Sequence, residues 1–414
     1  MVTIARTPGL VLTEHTLRVP LDHDRPEDGR TIEVFAREVA EPDGADKPPL
    51  LFLQGGPGFE APRPAAGAKS PGWLERALKD FRVVMLDQRG TGRSTPVGAA
   101  TLAGLDPARQ AEYLTHFRAD AIVRDAEALR DALGIARWSV LGQSFGGFCV
   151  VTYLSIAPGG LREALITGGL PPLRTPVDEV YRDTYARVIE RTGRYFDRYP
   201  GDRERMRALR ERIAEGGVRL PNGDALSWRR VQQLGQWLGM SDGADALHHV
   251  LELPFDSSAF RHDVAAPMGF ERNPLYAVIH EACYADTGAT GWSAERVMPA
   301  AYGEDPDLFT GEHVYRWMFE DYGELRPFAR AAELLARHEW PTLYDPDALA
   351  SCEVPAAAVI YHEDMYVERA HSERTAAAIG GLRPWVTSEF DHDGIRADGG
   401  RVLGRLLDLV RGRA

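Results

Sequence analysis

Apolar residues along this chain follow two rhythms in succession. Residues 10–20 and 31–40 alternate polar with apolar (Thr31-Ile-Glu-Val-Phe-Ala-Arg-Glu-Val), the period-two pattern of strands with one wet face. They flank the turn-rich stretch 22–30, so two antiparallel edge strands are expected there. Residues 41–48, with Pro42, Asp43 and Gly44 among them, read as a surface loop. Residues 49–53 and 81–86 are short apolar runs, as strands buried on both faces require. Residues 119–133 carry Ile122, Ala126, Leu129 and Leu133 at helical spacing, and Gly134 follows as a C-terminal cap. Residues 138–141 and 163–169 add two further strands, each with a loop at its carboxyl end.

At Pro171 the alternation stops. From there to Pro341 the period is helical and the stretch is rich in Arg, Glu, Trp and Tyr, with residues 182–194 and 203–213 the clearest helices. Beyond Pro341 the earlier rhythm returns: a strand over 355–361, a helix over 368–379, a strand over 384–388 and a helix over 401–411. The pattern predicts an α/β fold with a mostly parallel sheet and a helical cap inserted after the sixth strand. The expected division is 1–170 for the first part of the core, 171–341 for the cap and 342–414 for the rest of the core. A chain of 414 residues is long for one compact core, which suits that layout.

Composition removes several classes of function. The net charge is −13, with the acidic residues spread along the chain, so the basic footprint of a nucleic-acid binder is missing. No apolar run approaches the ~20 residues of a membrane span, and no signal peptide is visible, so a cytoplasmic protein is expected. Cys149, Cys283 and Cys352 form no C-x-x-C pair and suit buried roles in a reducing compartment.

The chemistry centres on Trp138-Ser-Val-Leu-Gly-Gln-Ser144-Phe-Gly-Gly-Phe, a G-x-S-x-G motif between an apolar strand and a helix-compatible run. In that setting the serine sits on a strained turn, and Gly142 and Gly146 let backbone pass where a Cβ would collide. The turn exposes the Ser144 hydroxyl and aims the Phe145 amide, at a helix N-terminus, toward a developing oxyanion. A second oxyanion donor is expected on Gly55 or Gly56, in the Gln54-Gly-Gly-Pro-Gly58 loop that follows a buried strand. The partners of the serine should lie on loops after later strands. Asp364 (in His362-Glu-Asp-Met-Tyr) and His392 (in Glu389-Phe-Asp-His-Asp-Gly394) are one strand–helix–strand unit apart. His392 would take the Ser144 proton and Asp364 would orient the imidazole, with Glu363 as the competing acid. Asp87 and Arg89, in Asp87-Gln-Arg-Gly-Thr-Gly-Arg-Ser94, read as scaffold. No spacing suggests a metal, and no cofactor is expected.

Together Gln-Gly-Gly-Pro-Gly, Asp-Gln-Arg-Gly-Thr-Gly-Arg-Ser and Gly-Gln-Ser-Phe-Gly-Gly resemble the proline iminopeptidase family of α/β-hydrolases. Phe309-Thr-Gly-Glu, Trp317-Met-Phe-Glu320, Leu343-Tyr-Asp-Pro and Glu363-Asp-Met-Tyr-Val-Glu368 resemble its longer bacterial form. The resemblance implies a serine exopeptidase that releases N-terminal proline from peptides through an acyl-enzyme, with Ser144, Asp364 and His392 on the triad positions. Gln54 departs from the shorter members, which carry His there. The resemblance also implies cap glutamates that hold the substrate's charged amine: Glu281, and for a second one Glu312 with Glu320 as rival. Phe145, Tyr284 and Trp317 are the aromatics expected around the proline ring. A homo-oligomer is compatible with the resemblance, whereas nucleic acid and membrane are not expected partners. The alternative function is a carboxylesterase or amidase with the same fold and triad.

Overall fold

The computed structural model describes residues 3–65 and 70–414. Its strands are β1 (Thr3–Thr7), β2 (Leu10–Pro20), β3 (Thr31–Ala40), β4 (Pro49–Leu53), β5 (Arg82–Asp87), β6 (Trp138–Gln143), β7 (Leu161–Thr167), β8 (Ala356–Tyr361) and β9 (Leu382–Thr387). They form one sheet in the order β1-β2-β3-β5-β4-β6-β7-β8-β9. The pairings from β1 to β5 through β3 are antiparallel, and all those from β5 through β4 to β9 are parallel. The sheet is therefore mostly parallel, as the short apolar runs predict.

One expected feature changes. β2 and β3 are not the edge, because β1 pairs outside β2. All five residues of β1 are exposed, so Thr-Ile-Ala-Arg-Thr carries no alternation that a sequence pattern could register. With β1 counted, the helical stretch follows the seventh strand, Leu161–Thr167, rather than the sixth.

Burial explains the continuous apolar runs. β4 and β6 are buried at every position, and successive residues face opposite sides of the sheet. Leu51 and Leu53 join the larger core with Val140 and Ile166, whereas Leu50 and Phe52 face the other side. There they meet the helices Gly72–Asp80 and Gly399–Val410, through Trp73, Leu74, Leu403 and Leu406. The sheet thus separates two apolar layers.

Among the described residues no strand lies between Thr167 and Ala356. That interval holds the long helix Val177–Arg198, the helix Asp202–Ala214 and a series of short helices. Its interior is continuous with the larger core of the sheet, through residues such as Tyr185, Phe309 and Tyr315. Polar ties fasten it at the carboxyl ends of the strands. Arg191 of the long helix meets Glu363 and Asp391, and the Gly239 carbonyl accepts from the His392 amide at 3.1 Å.

A buried arginine makes a second fastening. Arg118 donates to the carbonyls of Ala285 (2.9 Å) and Pro341 (2.8 Å), and its guanidinium lies over the Trp340 ring. Burial lowers its pKa, yet the carbonyls keep the cation solvated. Arg118 precedes the core helix Ala119–Ala132, so it ties two points of the helical stretch to the core. Arg118→Met is expected to destabilise the protein by roughly 3 kcal/mol or more, since each buried acceptor left unpaired costs about 1–3 kcal/mol. Urea unfolding of both proteins measures this; a midpoint unchanged by the substitution would show that the carbonyls find other partners.

Candidate active site

Three side chains from three strand ends converge. Ser144 follows β6, Asp364 follows β8 and His392 follows β9. His392 Nε2 lies 2.9 Å from Ser144 Oγ, and His392 Nδ1 lies 2.7 Å from Asp364 Oδ2. Asp364 Oδ1 accepts from the amides of Tyr366 (2.9 Å) and Val367 (3.0 Å), so both carboxylate oxygens are engaged. All three residues are buried. Burial works against a charged ring at His392, but the Asp364 carboxylate outweighs it and holds the imidazole pKa above its ordinary value.

The backbone at Ser144 accounts for the glycines around it. Ser144 has φ 54° and ψ −125°, a region that side-chain-bearing residues occupy at a cost of about 1–3 kcal/mol. A Cβ on Gly142 would stand 2.3 Å from the Gly146 carbonyl oxygen, and one on Gly146 would stand 2.0 Å from that of Leu53. Neither position admits another residue. The helix Phe145–Ile156 starts directly after the serine, so the Phe145 amide has no intrahelical acceptor. Gly55 packs against the same turn: a Cβ there would come within 2.9 Å of Ser144 Cβ. Gly56, with φ 132°, turns the chain beside it, and both glycines line the cavity that Ser144 opens into. Gly55, Gly56 and Phe145 thus line the spaces beside Ser144.

Glu363 points elsewhere. Its carboxylate meets Arg191 (3.3 Å) and Arg194 on the long helix, and it has no contact with His392. Arg89 is buried in a bidentate pair with Asp125 (2.6 and 2.7 Å), and Asp87 accepts from the Arg93 amide, so both hold loops together.

The cavity above Ser144 has a volume of about 520 Å³. A smaller pocket continues from it past Ser144, lined by Phe145, Phe148, Cys283, Tyr284 and Val367, with Glu312 and His280 at its polar side. Phe148 and Tyr284 meet edge to face at 5.6 Å and close the apolar wall. Glu312 lines both spaces. Tyr276 Oη donates to its Oε1 at 2.8 Å. Burial pushes the Glu312 carboxyl up to about 7, against the pull of the nearby His392.

Three of the expected substrate contacts are not brought to this site. Glu281 sits in the turn Glu281–Cys283 and faces the opposite way from His280. Its Oε1 accepts from the Ala294 amide at 2.9 Å, and its neighbours are Thr290 and Trp292 rather than Ser144. Burial raises this carboxyl to about 7 as well, but here it organises the 290–294 loop. One step along a tight turn swings a side chain to another face, and sequence register alone does not reveal which neighbour faces the cavity. Glu320 is exposed at the surface end of a short helix. Trp317 stacks between Tyr315 and Tyr322, with Arg229 over its ring, away from the cavity. Phe145, Tyr284 and Glu312 do line the site.

Several site residues escape a reading of the sequence. Tyr276, which holds Glu312, reads as one more core residue of an apolar helix. Phe148 and Cys283 are unremarkable apolar positions until the fold places them together. Tyr366 packs its ring edge-on against His392 at 4.8 Å and bonds the Gln236 carbonyl. Its place two residues after Asp364 is the one signal the sequence offers. Among the described residues, two groupings of His, Asp and Glu have metal-like proximity, and both lie outside this site.

A family model described as the α/β hydrolase fold matches residues 48–395. The chain is 46% identical to a proline iminopeptidase of Aeromonas sobria, over 97% of each chain. It is 36% identical to a proline iminopeptidase of Aspergillus aculeatus, over 98% of this chain and 95% of that one. Among solved structures, esterase E22 superposes with a TM-score of 0.50 at 11% identity, over 96% of this chain and all of that one, a likeness of fold alone.

The hydrogen-bonded chain from Asp364 to Ser144 makes a specific expectation. Ser144 should be labelled by a serine-directed fluorophosphonate, and Ser144→Ala should not be. Asp364→Asn should slow labelling about 10³-fold or more by presenting the wrong tautomer, whereas Glu363→Gln should stay within roughly threefold of wild type. Mass spectrometry of the labelled protein decides the matter. Slower labelling of Glu363→Gln than of Asp364→Asn would reverse the assignment of the acid.

Proposed function

This chain belongs to the α/β-hydrolase family, and because its full-length relatives there are proline iminopeptidases we infer that it is a serine exopeptidase releasing N-terminal proline from peptides. The observation that carries the reading to the site is Glu312. A carboxylate held beside the nucleophile, on the wall of the cavity that Ser144 opens into, suits a substrate that carries a secondary ammonium. An esterase acting on neutral acyl groups has no use for such a charge.

The proline ring would sit in the cavity above Ser144, with its ammonium on Glu312 beside the Tyr276 hydroxyl. The scissile carbonyl then lies over Ser144. His392 Nε2 takes the hydroxyl proton as Oγ attacks, and Asp364 stabilises the imidazolium that forms. The oxyanion develops toward the Phe145 amide and the amide of Gly55 or Gly56. His392 returns the proton to the leaving amine, and the remaining peptide departs through the larger cavity. Water repeats the sequence on the prolyl ester and frees proline. We take residues 171–341 as the cap that supplies Glu312, Tyr276 and Tyr284, and residues 1–170 and 342–414 as the core that supplies the triad.

Glu312→Gln is expected to lower kcat/KM for a proline arylamide by about 30-fold or more, since removing one partner of a buried charge pair costs roughly 2–5 kcal/mol. Hydrolysis of a small acetyl ester, which has no amine, should fall much less, and Glu281→Gln should change either reaction by less than about threefold. Wild type should not cleave N-acetylproline arylamide. Cleavage of the blocked substrate at the rate of the free amine would replace the aminopeptidase by an amidase or esterase.

The pH profile follows from the same groups. Productive binding needs Glu312 ionised and His392 neutral, and both states are lost as pH falls. With Glu312 near 7 and His392 raised, log kcat/KM should drop on the acid side with a slope approaching two protons. Glu312→Gln should reduce that slope to one. An acid limb of unchanged slope in the variant would remove Glu312 from the binding step.

A further inference from the structure

The larger cavity has a charged residue at its mouth that the reaction above does not use. Apart from His392, its formally charged described lining residues are Glu312 on the inner side and Arg396. Arg396 lies on the turn Gly394–Ala397, four residues after His392. Its neighbours fix that turn: Ile395 is buried, and Asp393 Oδ1 accepts from the Ser241 amide and hydroxyl. The Arg396 side chain itself is exposed, and it forms no salt bridge or side-chain hydrogen bond with any described residue. In a chain with 61 carboxylates, the nearest arginines are taken: Arg401 pairs with Glu389 and Arg191 with Asp391. Arg396 nevertheless lines the cavity together with Glu312, His392 and Tyr366. An anion at one end of a cavity and an unpaired guanidinium at its mouth complement a molecule with an amine at one end and a carboxylate at the other.

We propose that Arg396 forms a carboxylate-binding subsite at the cavity mouth, and that the enzyme favours short peptides whose free C-terminal carboxylate reaches it, prolyl dipeptides among them. The proposal rests on the aminopeptidase reading, which fixes the substrate's amine at Glu312 and sends the leaving residue toward the mouth. A planar guanidinium can meet a carboxylate with two parallel hydrogen bonds, a match that a C-terminal amide lacks. Because the site is open to water, the attraction is screened by salt.

The test compares Pro-Ala, Pro-Ala-amide and proline arylamide on wild type, Arg396→Gln and Arg396→Lys. Wild type is expected to favour Pro-Ala over its amide about 3- to 5-fold in kcat/KM, mainly through KM, with the preference shrinking as salt is added. Arg396→Gln should abolish that preference, and Arg396→Lys should keep part of it. Because preference is a ratio within one protein, partial misfolding of a variant does not alter it. Proline released from all three substrates with no preference for the free acid, or a preference that survives in Arg396→Gln, overturns the subsite and leaves the aminopeptidase standing. Failure of wild type to release proline from any of the three overturns the aminopeptidase reading itself.

Discussion

Everything at this site depends on one crowded crossing, where the turn after β6 passes beneath the end of β4. Ser144 holds a left-handed backbone there, with Gly146 against the Leu53 carbonyl and Gly142 against Gly146. The contacts are too close for any side chain, so the hydroxyl can be raised above the sheet only if these positions are glycine. The strain is carried by a rigid frame: β4 and β6 are buried throughout and paired in parallel register, Leu53 beside Gly142. The same crossing brings Gly55 against Ser144, so the serine and the loop after β4 are positioned by one piece of packing. Pre-organisation of this kind costs stability locally and removes reorganisation from the chemical step.

The second constraint is electrostatic and comes from the helical stretch over the sheet. That stretch places a carboxylate, Glu312, where water is scarce, and a single tyrosine, Tyr276, donates to it. An ionised carboxylate with so little protein solvation stands to gain from an incoming cation. Glu281 shows the contrasting case. It is buried where Glu312 is partly open to the cavity, and its carboxyl is raised to the same value, yet backbone amides surround it and it serves the loop at 290–294. A raised pKa marks burial, and only the partners distinguish a binding group from a structural one.

The helical stretch is also part of the triad's support. Gly239 bonds the His392 amide, Gln236 receives the Tyr366 hydroxyl, and Arg191 ties Asp391 and Glu363 to the long helix. The loop carrying His392 is therefore held from both sides, by β9 and by the helical stretch. Arg118 anchors the same stretch to the core from farther away.

Local chemistry and periodicity were enough to determine the sheet strands of the parallel half, the switch to a helical insertion, and the elbow with its serine. Those features rest on short-range rules: glycine where backbone must pass, continuous apolar runs where both faces are buried, and fixed chain order for residues at strand ends. β1 was invisible because an exposed edge strand carries no pattern. Which carboxylate faces the cavity was equally beyond the sequence. The resemblance offers Glu281, Glu312 and Glu320, and a one-residue step in a tight turn sends Glu281 to a different neighbourhood. Tyr276, Phe148 and Arg396 gain their meaning only from what folding brings beside them. Strand patterns and turn chemistry are written in neighbouring residues, whereas the walls and charges of a pocket are set by side chains hundreds of positions apart, and only tertiary packing decides which of them meet.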